Sequence, residues 1–182
     1  MSRKKFLAIV DPWAEPLEHD VEKFPHLESD TLIQFQLIHN QLTRLRPLFD
    51  DIIVVAGSMA PHPMFDELHN VITFHDPTTL DRERLVELGV LEVEYLSDKQ
   101  DWDAWFCGFH YGRCLHAKIN DIIRYYKWDY NRFHIIENLS FQFPEDEKRI
   151  WGEWLLEGQS EFYKNIKSYN WDYVSRFELN EK

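Results

Sequence analysis

Cysteine is scarce in this chain: two residues, Cys107 and Cys114, among 182. Two thiols cannot staple a disulfide scaffold, and their spacing is no zinc motif. Apolar runs are short, and none nears the ~20 residues that a transmembrane helix needs, so no membrane partner is expected. Glycine is limited to six residues. They form no Gly-x-Gly-x-x-Gly or P-loop run, which argues against a nucleotide-binding doubly wound domain. Basic residues are in deficit, 20 Lys+Arg against 32 Asp+Glu, for a net charge of −12. Nonspecific nucleic-acid binding rests on Lys and Arg neutralising phosphates, so no nucleic acid is expected as a partner. The basic start, Met1 to Lys5, leads into apolar Phe6 to Val10, but Asp11-Pro12 cut that run short, so it reads poorly as a signal peptide. Reduced cysteines without a membrane segment point to a cytoplasmic protein.

What is present suits a folded domain. Hydrophobic residues make up 44%, which sets disorder aside, and the length is that of one domain with a real core. Aromatics are abundant, with 7 Trp, 8 Tyr and 13 Phe. Lys5 to Val10 reads as a buried strand, because continuous rather than alternating apolar character suits a parallel strand covered on both faces. The acidic stretch Glu15 to Glu28 reads as loop, with Ser29 or Asp30 as the helix N-cap. Leu32, Ile33, Phe35, Ile38, Leu42, Leu45 and Leu48 recur at helical spacing and predict a helix over Thr31 to Leu48. Ile52 to Val55 follows as a second strand ending at Gly57. Strand, helix and strand in that order favour a right-handed parallel crossover.

The alternation continues. Val71 to Phe74 reads as a short strand, Leu80 to Leu88 as a helix capped by Gly89, and Leu91 to Leu96 as an exposed or edge strand. Ala104 to Phe109 is a further strand, Tyr111 to Lys127 a helix, and Phe133 to Ile136 another strand. From Pro144 a long helix is expected, then an aromatic tail through Trp171, Tyr173 and Phe177. The expected architecture is a single α/β domain over residues 1–182, three-layer α/β/α with a mostly parallel central sheet, in which 144–182 form a C-terminal aromatic helical extension.

In such sheets ligands gather beyond the carboxyl ends of the strands. Three places answer to that: Asp11, the stretch Gly57 to His62, and the stretch Cys107 to Cys114. Cys114 stands where Gly108-Phe-His-Tyr-Gly-Arg-Cys turns from loop to helix. A cysteine in a first helical turn meets the positive end of the macrodipole, which lowers a thiol pKa, and Arg113 acts in the same sense.

Two motifs together, Phe6-Leu-Ala-Ile-Val-Asp11 and Trp105-Phe-Cys-Gly-Phe-His-Tyr-Gly-Arg-Cys-Leu-His-Ala117, resemble those of the isochorismatase-like cysteine hydrolases, the superfamily of nicotinamidases and isochorismatases. The resemblance follows the order of elements over about the first three quarters of the chain. It implies a Cys nucleophile, an Asp general base and a supporting Lys, acting on a small amide through a thioester or on a vinyl ether; no cofactor is expected. Carried over, Cys114 attacks and Asp11 takes its proton. The implied Lys falls near Val71 to Thr79, which contains none; Lys99 and Lys118 do not occupy its place. A divergent enzyme would use His75 or His110 for proton transfer. The alternative is an inactive member of the fold, acting as a ligand-binding or assembly protein.

Further residues complete the expected site. Trp13, His62, His75, Phe109, His110 and Tyr111 are its candidate pocket residues, and Ala60-Pro-His-Pro63 supplies a stiff wall beside Asp11. His62, Asp66 and His69 are the candidate metal ligands, but their order does not reproduce the Asp-x-His pattern of nicotinamidase-like members, and no metal is expected. The expected partners are a small-molecule substrate or ligand and further copies of the chain, since Trp and Tyr are enriched at interfaces and the C-terminal region is rich in both.

Overall fold

The structure is a computed structural model that describes residues 3–14, 27–55, 61–68, 71–72, 96, 98–109, 111, 114–141 and 167–169. Its strands are β1 (Lys5–Val10), β2 (Asp51–Val55), β3 (Val71–Ile72), β4 (Asp103–Gly108), β5 (Phe133–Ser140) and β6 (Lys167–Tyr169). Two helices are described, α1 (Leu27–Leu45) and α2 (Cys114–Tyr126). The expectations for Glu15 to His26, Gly57, Thr73 to Tyr95 and Pro144 to Ile166, and for the tail after Tyr169, lie outside the described residues.

The strands form one sheet in the order β3-β2-β1-β4-β5-β6, and every pairing is parallel. This is an α/β fold. Its central strand is the most apolar one: Phe6 through Val10 are wholly buried, because β1 is flanked by β2 and β4 and covered on both faces. Alternate β1 residues join different clusters. Leu7 and Ile9 pack with Phe35, Ile38, Leu42 and Leu45 of α1, while Phe6, Ala8 and Val10 pack with Leu115, Ile119 and Ile122 of α2. Successive strand side chains point to opposite faces, so the two clusters lie on opposite sides of the sheet.

Both cores are aromatic, which accounts for much of the unusual composition. On the α2 side Phe6 meets Phe106 and Trp128 edge-on at 6.4 and 6.2 Å. On the α1 side Phe35 meets Phe65 and Phe109 at 5.8 and 4.9 Å. Such T-shaped pairs set the negative ring face against a positive edge.

Several boundaries differ from expectation. Helix α1 begins at Leu27, so Ser29 and Asp30 lie within its first turn and do not cap it. Its C-terminal turn tightens to a 3-10 turn at Arg46–Leu48, where Pro47 has no N–H to continue the α pattern. Strand β5 runs to Ser140, four residues beyond the Phe133 to Ile136 core that its apolar run marks. Strand β6 falls within 144–182, where a helical extension is expected; Lys167–Tyr169 is instead a strand that pairs with β5.

Candidate functional site at the carboxyl edge of the sheet

Strand order reverses at β1, whose neighbours β2 and β4 lead away in opposite directions. The carboxyl ends of β1 and β4 therefore meet at the switch point where α/β sheets place ligands. Asp11 stands there, 4% exposed. Its backbone is left-handed, φ +47°, a conformation that Asp tolerates better than most residues but that still carries strain. The turn is pinned from both sides: Asp11 N–H donates to Val55 O at 2.7 Å, and Phe109 N–H donates to Val10 O at 2.9 Å.

Gly108 is what lets β4 come so near. Its φ is +107°, and a Cβ there would stand 2.4 Å from Val10 O. Only glycine fits this combination of backbone angle and close approach. Beyond it, Phe141 N–H donates to Gly108 O and Tyr111 N–H donates to Phe141 O, each at 2.8 Å. The ends of β1, β2, β4 and β5 are thus tied into one rim.

His62 and Trp13 join the same rim from another segment. Trp13 bridges Pro61, and His62 N–H donates to Pro12 O at 2.6 Å. The half-buried His62 ring accepts from Met64 N–H through Nδ1 at 3.1 Å, capping the 3-10 turn Pro63–Phe65. A neutral ring in this role carries its proton on Nε2. Phe109 is 3% exposed, enclosed by Phe35 at 4.9 Å and Phe141 at 5.0 Å. It is a core residue that backs this edge.

Cys114 opens α2 and is half-buried, against the core on that side. Cys107 lies wholly buried within β4, where burial pushes its thiol well above the ordinary range. The two thiols therefore differ in kind: one is at a helix start, the other inside the sheet.

Four residues not singled out by sequence, His116, Glu137, Ser140 and Phe141, come to this edge. Between β4 and β5 the register slips: Phe106 pairs with Ile135, yet Gly108 pairs with Ser140. The extra β5 residues bulge, with Ser140 Oγ–H donating to Ile136 O at 2.7 Å. That bulge presents Glu137, which accepts from the Tyr111 hydroxyl at 3.1 Å, and it carries the chain to Phe141. Tyr111 also sets its ring edge-on to His116 at 5.1 Å. His116, in the first turn of α2, is buried, and desolvation lowers its pKa to about 4. Its place beside the cysteine in sequence was the one available signal; Glu137 had none, because a bulge is not written in hydrophobic periodicity.

Lys99 lies at the other end of the molecule. Its Nζ and that of Lys4 stand 5.1 and 5.5 Å from the Trp102 ring, at the amino end of β4. The strand's length separates this from Gly108 by ~16 Å. Lys118 sits one turn into α2 after Cys114 and is half-buried. His69, His75 and His110 lie outside the described residues, while Asp66 is exposed beside the Pro63–Phe65 turn. Among the described residues no group of three or more His, Cys, Asp or Glu could hold a metal ion, and no helix is long and apolar enough to cross a membrane. No family model, curated protein or solved structure matches this chain.

Proposed function

We propose that the chain is a divergent isochorismatase-like, Rossmann-like domain of three α/β/α layers that hydrolyses a small amide or related substrate in the cytoplasm, with Cys114 as nucleophile and Asp11 as general base. The observation that carries this reading is Asp11: a carboxylate buried in a left-handed turn at the switch point of a parallel sheet. Strain of this kind persists where the surrounding structure over-determines it, and it clusters at functional sites. The helix start at Cys114 favours negative charge on the sulfur, which is the attacking form. Attack on the amide carbonyl forms the carbon–sulfur bond, and the amine departs with a proton. Water then cleaves the thioester and returns the thiol.

A second reading, an inactive member of the fold that binds a ligand or assembles with a partner, is favoured by one observation. Lys99 belongs to the opposite edge, so it does not supply the supporting cation that the family resemblance implies. Alkylation by iodoacetamide at neutral pH separates the possibilities. The hydrolase requires Cys114 to label far faster than Cys107, and Asp11→Asn to slow it by roughly tenfold or more. Equal, sluggish labelling of both thiols sinks the catalytic reading. Rapid labelling without ammonia release from a panel of small carboxamides supports the binding protein instead.

A further inference from the structure

Helix α1 is apolar on two faces. Phe35, Ile38, Leu42 and Leu45 are buried against the sheet, as an amphipathic helix requires. Yet Leu32, Ile33 and Leu37 remain 48%, 68% and 41% exposed, and they are three of the four exposed large hydrophobic residues among those described. At about 100° per residue these three centre on the side opposite the buried stripe. The sequence of α2, by contrast, alternates its buried Leu115, Ile119 and Ile122 with charged Lys118, Asp121 and Arg124.

Charge along α1 indicates what fits this face. In a chain of net charge −12, no acidic residue occurs from Thr31 to Arg46. Asp30 and Arg44 stand seven residues before and after Leu37, and a spacing of seven returns to nearly the same side of a helix. The stripe thus runs in sequence from acid through Ile33 and Leu37 to base. Turned end for end about Leu37, it is complementary to itself. Gln36 and Asn40 on the same side already pair with each other, the Gln36 amide donating to Asn40 Oδ1 at 3.0 Å, which offsets part of the cost of covering them.

We propose that α1 is the two-fold interface of a homodimer, in which α1 packs antiparallel against α1 of a second copy. Leu37 meets Leu37 at the axis, and this register sets position 30 of each copy against position 44 of the other, acid against base. Antiparallel packing also opposes the helix dipoles. The contact is at the small end of specific interfaces, so association in the micromolar range is expected.

Sedimentation equilibrium on the full chain tests this. The wild type should dimerise, Leu37→Glu should be monomeric with an unchanged circular dichroism spectrum, and Arg44→Asp should weaken association by roughly tenfold or more through like charges. The double variant Asp30→Arg/Arg44→Asp should restore it. Within one helix those two positions are ~21 Å apart, so recovery requires a second copy. A wild type that stays monomeric at high micromolar concentration overturns the proposal, and so does a charge-swapped variant that stays as weak as Arg44→Asp.

Discussion

Backbone conformation at single residues sets the geometry of the carboxyl edge. Gly108 stands where a Cβ would come within 2.4 Å of Val10 O, at a φ of +107°. Gly108→Ala must therefore move β4 away from β1 or strain both. The expected cost is about 3 kcal/mol, read as a lower urea midpoint, and a midpoint within error of wild type would show that the two strand ends are not held this closely. Asp11 differs in kind: its left-handed turn is tolerated rather than required by a missing side chain. A carboxylate at a strained, buried position is the stronger functional indication of the two.

Helix ends show how local chemistry places the elements. Helix α2 stops at Tyr126, and Lys127 follows with φ +57°. Its N–H donates to Ile123 O at 3.0 Å, the closing bond of a left-handed helix terminus. Glycine adopts this conformation without the Cβ penalty that lysine carries. Lys127→Gly should therefore stabilise the protein by about 1 kcal/mol, visible as a raised Tm. An unchanged or lowered Tm would show that the exposed lysine contributes more at this terminus than its backbone strain costs.

At the scale of the whole molecule, the two ends of the sheet have different tasks. The amino end is a structural lock. Arg132 stacks on Trp128 at 4.4 Å and donates to the carbonyls of Lys99 and Trp102. The carboxyl end gathers the candidate site and the buried His116. Burial lowers the His116 pKa from 6.5 to about 4, so folding favours the neutral ring. Its contribution is intact above pH 6.5 and is lost as pH falls toward 4, because the unfolded chain binds a proton there that the folded one refuses. The loss amounts to about 3 kcal/mol across that window. His116→Gln should flatten this part of the stability–pH curve in urea titrations, whereas superimposable wild-type and variant slopes would show that His116 does not hold a neutral ring in the core.

Local periodicity was enough to locate much of the fold. The strand read over Lys5 to Val10 matches the central strand to the residue, and the apolar spacing of Leu115, Ile119 and Ile122 marked α2. Both signals depend on near neighbours in the chain. Asp11 was legible too, as the polar residue that ends the most buried strand, and Cys114 as the thiol at a loop-to-helix turn. Strand register is different, because it depends on pairing between segments far apart in sequence. Only the tertiary structure brought Glu137 to Tyr111 through the β5 bulge, used His62 Nδ1 as a cap, and set Lys99 at the opposite edge from Asp11. Sequence thus determined where the described elements lie and which strand is most deeply buried; the register of a twisted, bulged sheet decided which polar groups face one another.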